Sequence, residues 1–404
     1  MGVSVHTISQ NVKSKKLLPE FNNRKIAPLQ TYKHHLGRVE RLGRSISIPD
    51  SGPSQSFGPR RELNIALCVP LGGATGIWGP SALASAKLAV AELNMGSGIS
   101  GRSCRLITVD AADEAVNIEA TLIGLVGSGE VDAIIGMHTS AVRQRILNAV
   151  GGQLPFVYTP LYEGGESTPG VFAIGETTAC QLQPAIKWLG QQRKPKRWFA
   201  IGNDYVWPRV SHRMARQYML DAGSELVSES YVPVGTSDYL EILDAIKSSR
   251  ADAVLVSLVG QDAVDFNREF GRHGLSRTML RLSCAIGENE LLAIGSENAD
   301  DLFVASGYFS TLDTDANLSF KERYLAFFGE RAPTLNTFGQ STYEGFHFLA
   351  ALFGPGPQHP HELGKMPLSY LSARGCAYAG GRINVTPIYL ARCEGNAFKV
   401  ITRL

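Results

Sequence analysis

LNIALCVPLGGATGIWGPSALASAKLAVAEL, residues 63–93, decides the fold class. Its first seven residues are an almost continuous apolar run of strand length, the pattern of a strand buried on both faces. A Gly-rich loop follows, and then Pro80, which suits a first helical turn, with Gly79 as a plausible cap. Leu83, Ala86, Val90 and Leu93 recur at helical spacing on one face. Strand, loop and helix repeat downstream. Strands are expected at 105–109, 131–136, 155–158, 197–202, 225–232, 251–258, 278–284 and 301–306. Helices are expected over 117–126, from about Ala141, after Pro208, near 238–248 and at 262–273. Such alternation means parallel sheets covered by helices on both faces. There are too many units for one comfortable sheet, so two doubly wound Rossmann-like α/β lobes are expected. The tail of the chain breaks the rhythm: RINVTPIYLARC and AFKVI read as antiparallel strands around Glu394–Gly395–Asn396.

The 404 residues carry 39 Lys/Arg against 37 Asp/Glu, but the near balance hides two unlike parts. Residues 1–61 hold 11 of those cations and 3 of the anions, leaving 28 and 34 for the rest: a net +8 extension precedes a net −6 globule. The extension has no apolar core of secretory type, and Ser45–Arg61 is rich in Ser, Pro and Gly, so it reads as a solvated tail and linker. Six Cys, none in a two-to-four-residue pair, demand neither zinc nor an oxidising compartment. These features place the protein in the cytoplasm, or in the periplasm if translation begins elsewhere. No nucleic-acid partner is expected for 62–404. The Gly96–Gly101 match to G-x-G-x-x-G follows a helix and precedes a strand, so it reads as a helix cap and turn rather than a phosphate cradle. No catalytic, metal or cofactor motif stands out.

Polar and aromatic residues gather at the predicted strand ends, where doubly wound sheets bind ligands. GMHTS (136–140) ends one strand, with Ser140 placed to cap the next helix and to offer its free N–H groups to a carbonyl or carboxylate. YTPLYEGGE (158–166) and GNDYVWPR (202–209) bring Tyr158, Tyr162, Tyr205 and Trp207, rigid rings that can wall a small polar pocket.

Together, GGATGIWGPS, GMHTSAVRQ, YTPLYEGGE, GNDYVWPR, SLVGQDA and SGYFSTLDT resemble the type I periplasmic-binding-protein superfamily. Within it the chain looks most like the short-chain amide and urea receptors, relatives of the leucine/isoleucine/valine binding proteins. The resemblance spans roughly 62–404. It implies two lobes joined by three crossovers near 178, 306 and 373, with a ligand cleft between them. Lobe one is then 62–178 plus 307–372, and lobe two is 179–306 plus 373–404.

By the same resemblance Ser140 holds the ligand's carbonyl or carboxylate, and His138 stands where amide receptors tend to have a tyrosine. Tyr158 keeps the pocket aromatic. Thr159 comes one position before the family's hydrogen-bonding threonine, and Pro160 takes that place. Tyr205 matches an aromatic common to amide and amino-acid receptors, and Trp207 replaces a tyrosine. Trp78 and Val259 complete the lining. Glu288 lies near the acid that pairs with an amino acid's ammonium group. The implied function is non-catalytic: closure around a short-chain amide, urea-like compound or amino acid. The partner reading closure is an ABC transporter permease or a cytoplasmic regulatory protein acting on gene expression, and homo-oligomerisation stays open. An amide hydrolase is the remaining alternative.

Overall fold

The computed structural model describes residues 62–113, 117–354, 369–372, 374, 375, 377–379, 382–385 and 387–404. The basic extension, the crossover expected near 373 and Cys376 lie outside the described residues.

The opening stretch forms β1 (Glu62–Val69) and α1 (Gly79–Met95), joined by a loop with one 3₁₀ turn at Gly76–Trp78. β2 (Ser103–Asp110), α2 (Ile118–Gly127), β3 (Ala133–Gly136), α3 (Ser140–Val150), β4 (Phe156–Tyr158) and β5 (Val171–Ala173) follow. These strands make a five-stranded parallel sheet in the order β2-β1-β3-β4-β5. Side-chain alternation sorts β1 between two cores. Leu63, Ile65, Leu67 and Val69 belong to one, Ala66 and Cys68 to the other, which explains why the run shows no polar face. β5 has no counterpart in the sequence reading, because VFA is too short to show a period.

The second sheet is built from β6 (Arg197–Asn203), β7 (Glu225–Val232), β8 (Ala253–Ser257), β9 (Leu280–Ser283) and β10 (Leu302–Ser306). α4 (Thr178–Gln192) leads into it, and α5 (Val206–Asp221), α6 (Leu240–Ser249), α7 (Gly260–Arg272) and α8 (Glu288–Ile294) link its strands. α9 (Asp315–Phe328) and α10 (Thr337–Phe353) then carry the chain back to the first sheet, where α10 packs on α1, β3 and β4. A small sheet of β11 (Ser369–Leu371), β12 (Ala377–Ala379) and β13 (Arg382–Val385) precedes β14 (Tyr389–Glu394) and β15 (Ala397–Arg403). The last two are the antiparallel pair expected around Glu394–Asn396, added to the second sheet beside β10. The order is β15-β14-β10-β9-β8-β6-β7.

The architecture is therefore two α/β lobes, as expected, one with a fully parallel sheet and one whose parallel sheet ends in the antiparallel β14 and β15. The turn reading of Gly96–Gly101 also holds: Gly96 caps α1, and Gly98 and Gly101 take φ of 68° and 76°.

A buried ion triad lies where the connecting segments meet. Glu176 is on the segment leaving the first sheet, and Arg374 is on the one returning from α10 to β14. Arg374 Nη1 stands 2.6 Å from Glu176 Oε1, and its Nε stands 2.8 Å from Glu344 Oε2 on α10. The Arg374 backbone N–H donates to Glu344 Oε1 at 2.9 Å. Gly307, just past β10, completes the junction: a Cβ there would lie 2.0 Å from Glu176 Oε1.

Candidate functional site

In each sheet the strand order reverses beside the first strand, between β1 and β3 and between β6 and β8. Loops leaving the carboxyl ends of such strand pairs diverge and open a crevice. Here the two crevices face one another. Trp78 follows β1, and His138, Thr139 and Ser140 follow β3; Tyr205 and Trp207 follow β6, and Val259 follows β8. All of them line one narrow crevice, with Tyr158, Pro160, Leu161, Ala285 and Phe338. Its cavity volume is about 10 Å³, room for about one water and far below the roughly 300–1,000 Å³ typical of drug-sized ligands. Eight residues expected at the site are thus together: Trp78, His138, Ser140, Tyr158, Pro160, Tyr205, Trp207 and Val259.

Two expected residues are not in the lining. Thr159 is buried, its Oγ1 donates to the Gly136 carbonyl at 3.2 Å, and its methyl group faces Gly345 of α10. Successive strand residues point to opposite sides, so a neighbour of Tyr158 could not share its direction. Glu288 opens α8, and its Oε1 accepts the Ser310 N–H at 2.6 Å. Tyr162 also stands back, edge-on behind Tyr158 at 6.3 Å between ring centres.

Burial pushes the Glu288 carboxyl up to about 7. Its folded value lies above its ordinary one, so its contribution to stability is complete in acid and is lost as pH rises through 7. Glu288→Gln keeps the acceptor for Ser310 and removes the titration. Thermal unfolding should show the variant gaining about 2–3 kcal/mol on the parent between pH 5 and pH 8. A pH-independent difference would contradict this reading of Glu288.

The cap of α3 is Thr139, whose Oγ1 accepts the Val142 N–H at 3.4 Å, and not Ser140 as expected. Ser140 is the first helical residue, and its Oγ is buried beside the Tyr158 hydroxyl. Trp207 Nε1 is buried and unpartnered. Trp207 and Pro208 both lie in the first turn of α5, which starts ahead of the expected position after Pro208 because Pro is tolerated there. Tyr205 caps that turn and packs on Trp207, with 6.4 Å between ring centres.

His138 is held against Tyr158 at 5.3 Å between ring centres, and the Tyr158 hydroxyl donates to the His138 carbonyl at 2.7 Å. Burial pulls the His138 imidazole down to about 4, so it is neutral near pH 7. Its Nδ1 lies 3.1 Å from the Thr139 carbonyl, which can only accept, so the ring proton sits on Nδ1. Nε2 is then a buried acceptor without a partner, lying beside Gly136.

Behind this wall Arg143 lies over Tyr158 and Tyr162, at 4.9 and 5.3 Å from their ring centres. It pairs with Glu163 at 2.5 Å and Glu166 at 3.4 Å, so YEGGE supplies carboxylates to a buried cation rather than to the cavity. Among the described residues, no Asp, Glu, Lys or Arg lines the cavity. The sequence reading missed Thr139, Leu161, Ala285 and Phe338. The first two adjoin residues it chose. Phe338 comes from the start of α10, outside any strand end, and no local pattern marks it.

A family model described as periplasmic binding protein matches residues 62–354. The chain belongs to the periplasmic binding protein family. Solved structures of the same type agree on the fold. A solute-binding protein of an ABC transporter from R. palustris, in complex with benzoate, aligns with a TM-score of 0.73 at 17% identity, over 85% of this chain and 96% of that one. A branched-chain amino acid transporter substrate-binding protein from Streptococcus pneumoniae, in complex with isoleucine, gives 0.73 and 17% over 85% and 100%. An ABC transporter substrate-binding protein from Sphaerobacter thermophilus gives 0.71 and 22% over 85% and 98%. At these identities the structural likeness speaks for the fold alone.

Family membership makes this a solute-binding protein and speaks for binding rather than catalysis. It also corrects the expected cytoplasmic location, since the matching family is one of periplasmic binding proteins. The cytoplasmic regulatory partner was tied to that location and is set aside with it.

Proposed function

We propose that this protein is the solute-binding component of an ABC-type uptake system, and that its lobes, 62–178 plus 307–372 and 179–306 plus 373–404, close on a small uncharged polar solute. A short-chain amide or urea-like compound fits best. One observation carries the reading: Trp207 Nε1 is buried and unpartnered in a wall that also holds the Ser140 and Tyr158 hydroxyls and whose described residues include no Asp, Glu, Lys or Arg. Buried polar groups are rarely left without partners, so this indole N–H supports a ligand acceptor beside it. Ser140 and the first N–H groups of α3 receive the carbonyl oxygen, and Trp207 offers a second donor. Tyr158, Tyr205 and the neutral His138 ring exclude water.

An amino acid fits less well. Glu288, the residue that would meet its ammonium group, bonds the Ser310 N–H and is not part of the lining. An unpaired buried charge costs several kcal/mol. A permease partner is supported by the ABC-transporter role of the solved neighbours.

The test is an isosteric pair, acetamide and acetate, which differ in charge and hardly in size. Acetamide should raise the unfolding midpoint in a concentration-dependent way. Acetate should not.

A further inference from the structure

Asp113, just past β2, lies behind the cavity wall where α3 begins. Its Oδ1 accepts the Thr139 hydroxyl at 2.5 Å, and the oxygen of that hydroxyl accepts the Val142 N–H at 3.4 Å as the cap of α3. Its Oδ2 accepts the Thr75 hydroxyl at 3.4 Å, from the loop that carries Trp78. One carboxylate outside the lining thus ties together two of the loops that build the first lobe's part of the wall.

The cations near it are already matched. Arg145 Nη1 donates to the Asp113 carbonyl at 3.2 Å, but its guanidinium pairs with Glu119 at 2.5 and 2.8 Å. Arg143 pairs with Glu163 and Glu166. These six side chains are four carboxylates and two guanidinium groups, so their excess charge is negative. The field reaches the cavity: burial holds the Tyr205 phenol well above its usual range, and Asp113, Glu163 and Asp262 push it the same way.

A helix start attracts anions, because its first N–H groups lack acceptors within the helix and its dipole is positive there. At α3 the protein's own carboxylate already faces that end through Thr139. A neutral carbonyl oxygen can still accept from Ser140 and the first N–H groups. A carboxylate ligand would bring a second negative charge to the same helix end, where none of the described wall residues offers a cation.

We propose that Asp113 is a specificity-determining residue that keeps anions out of the cavity, acting through Thr139 at the start of α3. The inference rests on the reading of this cavity as the solute site and deepens it: carboxylates are rejected by a charge behind the wall as well as by the lack of a cation in it. Asp113 does not line the cavity, so it discriminates by its field and by positioning Thr139.

The experiment is calorimetric titration of the full chain and of Asp113→Asn with acetamide and with acetate, at low ionic strength. Asparagine keeps an acceptor for the Thr139 hydroxyl and removes the charge. The variant should bind acetate at least about ten-fold more tightly than the parent does, an effect of the size that a unit charge several ångströms away exerts. Asp113→Glu, which keeps the charge, should leave acetate excluded. If Asp113→Asn fails to fold, as circular dichroism would show, Asp113→Ser is read by the same criterion.

Unchanged acetate affinity on removal of the charge would overturn the role of Asp113. So would acetate and acetamide affinities that change by the same factor, since that marks a residue acting on structure alone. The acetamide arm judges the solute reading separately. A parent that does not bind acetamide would sink the neutral-solute reading, and a gain in acetate binding by Asp113→Asn would still establish the discrimination. A parent that binds acetamide, with no gain in acetate binding by the variant, would keep the solute reading and remove Asp113 from it.

Discussion

Arg374→Met should lower stability by about 3–5 kcal/mol, read as the shift in urea midpoint at unchanged slope. The residue sits between Glu176 and Glu344 with almost no access to water. Methionine fills much of the same volume but leaves two buried carboxylates facing each other without a cation. The cost is mainly that of the stranded charges and much less that of lost attraction. Adding Glu176→Gln and Glu344→Gln to the variant should therefore recover a large part of the loss. A triple variant as unstable as Arg374→Met alone would show that Arg374 acts through packing instead. Because the triad joins the segment leaving the first sheet to the one returning from α10, partial disruption should also change how readily the lobes move.

Ser140→Ala should separate binding from stability. In the empty protein the Tyr158 hydroxyl beside it keeps its bond to the His138 carbonyl, so stability should stay within about 1 kcal/mol of the parent's. Binding of acetamide should weaken about 10–100-fold, the effect of losing a hydrogen bond of roughly 1.5–3 kcal/mol inside a dry cavity. Thr139→Ala is the contrasting change. It removes the helix cap and should cost about 1 kcal/mol of stability. If Ser140→Ala instead destabilised the empty protein and left acetamide affinity intact, Ser140 would be a structural residue and the cavity assignment would fail.

Much of the fold was legible because parallel strands write their burial into composition. LNIALCV, VDAIIG and ADAVLVSL show no polar face since both faces are covered, and the β-turn-α rhythm then fixes the sheet type. The site was legible for a related reason. In a doubly wound sheet, ligand-facing residues lie at strand ends, so His138, Ser140, Tyr205 and Trp207 could be chosen from position and chemistry.

What the sequence hid is mostly direction and distance. Thr159 differs from Tyr158 by one residue, and that single step turns its side chain away from the cavity. Glu288 and Glu290 look alike in AIGENE, yet one accepts the Ser310 N–H, 22 positions away, and the other holds Trp78, 212 positions away. Phe338 and the Glu176–Arg374–Glu344 triad are long-range meetings that no local period encodes. Location is not legible in the composition of the first 61 residues, whereas the family match lies in the globule.

Titration calorimetry of the full chain with acetamide and with acetate tests the central claim most directly. Acetamide should bind with a stoichiometry of about one, and acetate should give no heat above dilution at the same concentrations, because the cavity offers donors to a carbonyl oxygen and no cation to a carboxylate. Binding of acetate in preference to acetamide would contradict the account, since it would require a positive charge that none of the described wall residues carries.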